Sequence, residues 1–453
     1  MEFAKKKILI IGLGKSGLSA ARWLVRAGAD VTINDFKNET DLDLELLRAA
    51  RGMGIILETG RHTEESFLRS DTIVLSPGVP LDIGPLKAAR ERGIPVLGEM
   101  ELAARLIDTP IVAVTGTNGK STVVSLLGKM IESAGATAFV GGNIGTPLMD
   151  YAYQDSLEDY AVVEVSSFQL DTAETFCPAI SLILNISPDH LDRYPDYEAY
   201  ILSKLKIVRN QRAGHYTILN DDDKRLSQFR PKGAVTVLRY GMEQKDGRQA
   251  FINGRRLTVR LPGLESNQFD TGGFRLPGIH NLENLMAACL AGMALGLSPE
   301  SIQESIDHFK GLAHRMELIR TVKGIDFHDN SKATNVDSAS RSIASFDRPV
   351  ILIAGGRHKG SDYSPLVTTA QGRVKEAILL GEAKQIMAGS FEGLIPFTMA
   401  EDMENAVSRA FEIAIPGDVV LLAPACSSFD MYSDYTERGD RFIEAVEMID
   451  NGS

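Results

Sequence analysis

The chain has 453 residues, too many for one hydrophobic core and enough for about three domains at ~150 residues each. It is 44% hydrophobic and 24% charged with a net charge of −12, which argues against nucleic acid as a main partner and leaves any anionic ligand to local clusters of backbone N–H, Lys and Arg. Three scattered cysteines without CxxC spacing suit a reducing cytoplasm, the lysine-led start has too short an apolar run for a signal peptide, and no stretch reaches the ~20 apolar residues of a membrane span.

The first unit, 1–98, alternates strands and helices. Lys7 to Ile11 reads as a strand, and Gly12-Leu13-Gly14-Lys15-Ser16-Gly17 opens a helix through Arg26. A strand from Asp30 to Asn34 then ends at Asp35. A GxGxxG turn with an acid about twenty residues on is the arrangement of a dinucleotide-binding fold. By itself it is open to three readings: a nicotinamide or flavin site, a cradle for the diphosphate of another nucleotide, or a structural turn. Two more strands, Thr72 to Leu75 and Ile94 to Leu97, continue the parallel pattern, and Ser76-Pro77-Gly78 turns at the sheet edge where such folds bind ligands.

The second unit, 99–311, starts with Ile111 to Thr115 as a buried strand, a Gly-rich turn, and a helix from Lys120 to a stop at Gly135. Backbone N–H groups in that turn, the helix N-terminus and Lys120 form an anion site, and Ser121 or Thr122 offers a hydroxyl to a metal ion. One departure from the usual phosphate loop is Val114, where glycine is expected. Gly141 to Gly145 is a Gly-rich loop carrying the amide of Asn143. Strand Tyr160 to Val165 carries Glu164 near its end, either a magnesium ligand or a solvated strand-end acid. After strand Ile180 to Ile186, His190 lies in an acidic loop, either structural or a ligand. In the helix from Asp196 to Asn210, Lys204 falls on the apolar stripe of Tyr197, Ile201, Leu205 and Val208. It is either buried as a neutral amine open to covalent chemistry, or it snorkels outward. Residues 209–276 read as strands and turns. Gly278 opens an apolar helix through Ala294, in which Asn281 and Asn284 cap the end or meet a base edge.

The third unit, 312–453, begins with His314-Arg315 and strands Glu317 to Val322 and Ile325 to Phe327. Polar segments follow successive strands: His328 to Asn335, Gly355 to Gly360 after Pro349 to Ala354, and Ala423 to Asp430 after Asp418 to Leu422. Polar residues gathered after parallel strands mark one ligand-binding edge.

Thr115-Gly116-Thr117-Asn118-Gly119-Lys120-Ser121-Thr122 resembles the modified phosphate loop of the Mur ligases and folylpolyglutamate synthases, in which Val114 is normal. Glu164 to Leu170, Asn185 to Tyr194, His328 to Asn335 and Pro424 to Arg441 are similar to Mur ligases that accept D-glutamate, and the resemblance spans essentially the whole chain. It implies an α/β protein of three domains: a Rossmann-like domain for a UDP-sugar, a central P-loop ATPase-like domain with a parallel sheet, and a C-terminal Rossmann-like domain for the amino acid. It implies ATP-dependent amide formation on UDP-N-acetylmuramoyl-L-alanine, through an acyl phosphate, by a cytoplasmic monomer with no nucleic-acid or membrane partner.

The resemblance also assigns residues. Gly14, Ser16, Gly17, Asp35, Phe36, Ser76 and Asn143 face the UDP-sugar; Gly116, Thr117, Asn118, Gly119, Lys120, Ser121, Thr122, Asn284, Arg315 and Asp329 face ATP, with Asp329 at the ribose. A first Mg²⁺ falls to Ser121 or Thr122 with Glu164, and a second to His190 and a carbamylated Lys204, with Mn²⁺ as a substitute. Lys332, Thr334, Lys359, Ser428, Phe429 and Tyr435 form the D-glutamate pocket, where two lysines and a hydroxyl suit a dicarboxylate. Spreading the site over three domains implies closure on the substrates. The rivals are a Mur-type or folylpolyglutamate-type ligase with another acceptor, an NAD-dependent oxidoreductase built on the GxGxxG turn, and a non-catalytic nucleotide switch.

Overall fold

The computed structural model describes residues 3–154 and 158–449; the outer limits of the first and third units, 1–2 and 450–453, lie outside them. Three sheets carry the chain. The five-stranded first sheet runs, in spatial order, Ile56–Thr59, Asp30–Asp35, Lys7–Ile11, Thr72–Leu75 and Val96–Gly98, all parallel. The strand order reverses at Lys7–Ile11, so the ends of that strand and of Thr72–Leu75 form the crevice in which such sheets bind ligands. The third sheet runs Glu317–Val322, Ile325–Asp329, Val419–Leu422, Val350–Gly355, Val374–Leu380 and Phe397–Met399, parallel except at its first pair.

The nine-stranded central sheet places Ile111–Thr115 between Ile180–Ile183 and Tyr160–Glu164. Strands covered by helices on both faces must be apolar throughout, and IVAVT, VILIAG and VVLL are buried at every position. The strand expected over 180–186 stops at Ile183, because Asn185 turns to brace the phosphate loop: its Oδ1 accepts from Asn118 N at 2.8 Å and its Nδ2 donates to Asn118 O at 3.1 Å. Residues 209–276 extend this sheet through Tyr216–Asn220 and Thr236–Tyr240 into an antiparallel run ending at Asn267–Asp270. Ile56–Thr59, Ala138–Gly142 and Phe397–Met399 were not legible as strands; each is a short sheet edge with no fully apolar pattern, and the second takes up the first glycines of the expected Gly141–Gly145 loop.

We propose domain boundaries at 98/99 and 311/312, which no sheet crosses. The first boundary is nonetheless partly packed. Ser19 Oγ donates to Asp150 Oδ1 at 2.7 Å, and one apolar cluster runs from Leu18 and Leu24 to Met100, Leu148 and Met149. Glu99, 1% exposed at this joint, accepts from Met149 N at 2.8 Å through Oε1, while its Oε2 has no partner. Burial pushes its carboxyl up to about 7, against the Met149 N–H and with help from Asp150. A raised carboxyl contributes stability fully below its unfolded value of 4.5 and loses it as pH rises through about 7. Glu99→Gln is therefore expected to be more stable than the parent by about 3 kcal/mol at pH 8.5, with the gap closing by pH 4.5, in paired urea titrations.

Candidate functional site

The strand Ile111–Thr115 delivers the chain to a turn in which Gly116 has φ 152° and Gly119, the N-cap of helix Lys120–Ser133, has φ 86°. Only glycine suits Gly119: besides its left-handed backbone, a Cβ there would lie 2.2 Å from Asn284 Oδ1. The turn and the helix N-terminus border a cleft of about 520 Å³ lined by residues of the central and third units.

Glu164, at the end of the adjacent strand, accepts from Ser121 Oγ at 2.5 Å and Asn143 Nδ2 at 3.0 Å. Burial alone would raise its pKa, but Lys120 and these two hydrogen bonds hold it below the ordinary carboxylate value. It is a buried, ionised carboxylate beside a hydroxyl, two oxygen donors suited to a hard cation. Asn143 is consequently not a free amide; its side chain braces Glu164. From the third unit, Arg315 donates through Nη2 to Ser121 Oγ at 2.6 Å. Arg315 sits between His314 (φ 59°) and Met316 (φ 52°), and His314 Nδ1 is 2.6 Å from Asp329 Oδ2.

Lys204 is 2% exposed and does not snorkel outward. Its Nζ donates to Gly116 O at 2.8 Å and lies 4.6 Å from the Tyr200 ring. Burial first, and Lys120 second, lower its pKa well below the usual lysine value. Lys120 is lowered too, chiefly by burial, and donates to Gly116 O and Thr117 O at 2.9 and 2.8 Å. His190, at φ 55°, packs against the rings of Phe168 and Tyr200; burial lowers it to about 4, so the imidazole is neutral near pH 7.

The third unit completes the cleft with Lys332, Thr334, Lys359, Ser428, Phe429 and Tyr435. Lys332 Nζ stands 3.8 Å over the Tyr435 ring, and burial, with Arg315 next, lowers it to about 7. Arg438, 2% exposed, ties two of these loops together: Nε and Nη2 donate to Ser331 Oγ and O at 3.0 and 2.7 Å, and Nη1 donates to Cys426 O at 3.1 Å. Contacts also cross between units. Asn118 Nδ2 donates to Asp337 Oδ2 at 2.7 Å, Arg341 pairs with Glu283 at 2.9 Å, and Asn335 Nδ2 donates to Asp189 Oδ2 at 3.2 Å.

Three sequence expectations look different in this light. Asp329 does not line the cleft: it is 0% exposed, with Oδ1 accepting from Ser331 N at 2.7 Å and Oδ2 facing His314. Its position braces the Arg315 turn from behind the cleft. Asn281 and Asn284 do not cap their helix, whose N-cap is Gly278; both are buried and line the cleft. Asp35 also acts as a brace, accepting from Leu13 N at 2.7 Å and Lys37 N at 2.9 Å. Gly14, Ser16, Gly17, Asp35, Phe36 and Ser76 lie apart from the cleft, on the crevice of the first sheet. There Ser76 Oγ donates to Gly12 O at 2.9 Å, and a Cβ on Gly17 would lie 2.1 Å from that same oxygen. Asn335, Arg438 and Asp189 were passed over in the sequence; their burial depends on neighbours far along the chain, and no local spacing signals it.

The chain matches three family descriptions in order: "Mur ligase MurD-like, N-terminal domain" over 6–98, "Mur ligase middle domain" over 114–292, and "Mur ligase, glutamate ligase domain" over 314–426. It is 44% identical to the UDP-N-acetylmuramoylalanine–D-glutamate ligase of Desulfosudis oleivorans, covering 100% of this chain and 98% of the relative. It is 42% identical to that of Geotalea uraniireducens, covering 100% of both. In fold it is similar to a pseudomurein peptide ligase type C of Methanothermus fervidus (TM-score 0.62, 19% identity, 98% of this chain and 100% of the other). It is also similar to the UDP-N-acetylmuramate-alanine ligase MurC of Thermotoga maritima (TM-score 0.60, 17% identity, 98% and 99%).

Proposed function

The chain belongs to the Mur ligase family, and from that premise we infer its reaction. It is an ATP-dependent ligase that adds D-glutamate to UDP-N-acetylmuramoyl-L-alanine in peptidoglycan precursor synthesis. The mechanism rests on one observation: the phosphate loop and the C-terminal lysines line a single cleft.

In the first step a carboxylate oxygen of the L-alanyl end attacks the γ-phosphorus of ATP, ADP leaves, and an acyl phosphate forms. Two anions must approach, so fixed positive charge is required. Lys120 faces the β,γ-phosphates, and Arg315, anchored 2.6 Å from Ser121 Oγ, neutralises charge on the transferred group. Gly116 to Thr122 direct backbone N–H groups at the phosphates, and Asn284 lies at the adenine. In the second step the amine of D-glutamate attacks the acyl carbon, its proton is released, and phosphate leaves. Lys332, Lys359, Thr334 and Ser428 hold the two carboxylates of the acceptor, with Phe429 and Tyr435 as walls. The UDP-sugar lies along the first sheet's crevice at Gly14, Ser16, Gly17 and Ser76, with Asp35, Phe36 and Asn143 at its borders.

We propose two magnesium ions, which would draw electron density from the phosphoryl and acyl oxygens; Mn²⁺ could replace them. Ser121 or Thr122 with Glu164 would hold one, and His190 with Lys204 the other. A neutral amine binds CO₂ as a carbamate, losing one proton, and so turns a cation-repelling group into an oxygen ligand. Lys204 is buried, its pKa is lowered well below the usual lysine value, which favours the neutral amine, and it is within reach of the loop through Gly116 O. We propose further that the enzyme works as a cytoplasmic monomer without membrane or nucleic-acid partners; among the described residues no helix is long and apolar enough to cross a membrane.

A panel of amino acids in a phosphate-release assay with ATP and UDP-N-acetylmuramoyl-L-alanine tests the acceptor. Release with D-glutamate alone is expected. Activity with L-glutamate or a diamino acid, and none with D-glutamate, would overturn the reading.

A further inference from the structure

An amino-acid acceptor with two carboxylates also carries an ammonium group, and the reaction as described gives that group no partner. The cleft is crowded with basic groups, Lys120, Arg315, Lys332 and Lys359 among them, so a bound ammonium needs an acid close by. Four acids line the cleft: Glu164, Asp189, Asp192 and Asp434. Glu164 is engaged by Ser121 and Asn143 at the phosphate loop. Asp434 is exposed and caps the helix Tyr435–Glu447 through Thr436 N and Glu437 N, and Asp192 is exposed.

Asp189 is different. It is 6% exposed, lies on the central unit's face of the cleft, and meets the acceptor lysine of the third unit. Two contacts fix its carboxylate: His190 N donates to Oδ1 at 2.9 Å, and Asn335 Nδ2 donates to Oδ2 at 3.2 Å. The contact with Lys359 Nζ, at 3.5 Å on Oδ1, is the loosest of its hydrogen bonds. A carboxylate has about four acceptor positions, so Asp189 can keep its two anchors and take another donor.

We propose that Asp189 binds the ammonium group of the incoming amino acid, exchanging Lys359 for it as Lys359 turns to a substrate carboxylate. Asp189 thus makes the acceptor site select an amino acid over a plain dicarboxylate, and it sets the nitrogen next to His190. The proposal rests on the reading of the acceptor as D-glutamate.

Glutarate, which has the two carboxylates of glutamate and no amine, separates this role from a purely structural one. In Asp189→Asn the KM for D-glutamate is expected to rise at least about thirtyfold, because a buried charge pair is lost. Inhibition by glutarate should change less than about threefold, as should the KM values for ATP and the UDP-sugar. Parallel weakening of D-glutamate and glutarate would overturn the proposal, since Asp189 would then only brace Lys359 and Asn335; so would an unchanged KM for D-glutamate. If the variant fails to fold, calorimetry on the parent enzyme with ADP decides: D-glutamate binding at least about thirtyfold tighter than glutarate supports the role, and equal affinities overturn it. A parent enzyme that does not turn over D-glutamate at all would overturn the acceptor reading itself, and the Asp189 role with it.

Discussion

Lys204→Ala is expected to lower turnover on the order of a thousandfold, about 4 kcal/mol of transition-state stabilisation, while the protein still folds and binds UDP-sugar. The amine is buried and bonded to Gly116 O, and burial lowers its pKa well below the usual lysine value; as a lysine it gives the phosphate loop no anionic ligand. On the carbamate proposal, its use lies in the oxygen ligand that CO₂ would make of it. Short-chain carboxylic acids added to the variant should restore part of the activity by entering the space of the lost carbamate; they should do nothing for the parent. The sign of the pH effect follows from the same chemistry. Only the neutral amine holds CO₂, so carbamate-dependent activity falls as pH falls through the lowered pKa of Lys204. Full activity of the alanine variant would end the hypothesis.

Arg315→Ala should cost a similar factor, about a thousandfold in kcat, with little change in the KM values for UDP-sugar or D-glutamate. The side chain crosses from the third unit to Ser121 on the central one, and it lines the cleft together with Lys120 and Glu164. Arg315→Lys should recover little, because an ammonium cannot reproduce the planar fork that meets both the hydroxyl and a phosphoryl oxygen. The turn that presents Arg315 has left-handed residues on both sides and is braced by the short His314–Asp329 contact. Steady-state phosphate release with each substrate varied in turn separates kcat from KM. A variant within tenfold of the parent in kcat would remove Arg315 from the phosphoryl step.

The strands of the sheet centres and the phosphate loop were legible early because their signals are local. A short apolar run such as Ile-Val-Ala-Val before a Gly-rich turn reads as a strand covered on both faces, and Gly-Lys-Ser-Thr after it leaves the helix N-terminus open to an anion. Edge strands were missed for the opposite reason: Ala138–Gly142 is short, contains two glycines, and is strand only because Tyr160–Glu164 pairs with it.

Lys204 marks the division most clearly. Its place on an apolar stripe was visible in the helical spacing, but spacing left burial and snorkelling equally open. Packing against Tyr200 and the carbonyl of Gly116, 88 residues earlier in the chain, decided for burial. Asp329 shows the same limit from the other side: its place after a strand matched a ligand-facing edge, yet His314 and Ser331 draw both oxygens inward. By itself the sequence determined the three α/β units, the anion-binding turn and the family, because each depends on residue types at fixed short spacing. Which polar groups face the cleft, which brace it from behind, and which of the acids meets an acceptor lysine were decided only by the tertiary structure, because burial and hydrogen-bond partnership depend on segments that meet only in the folded chain.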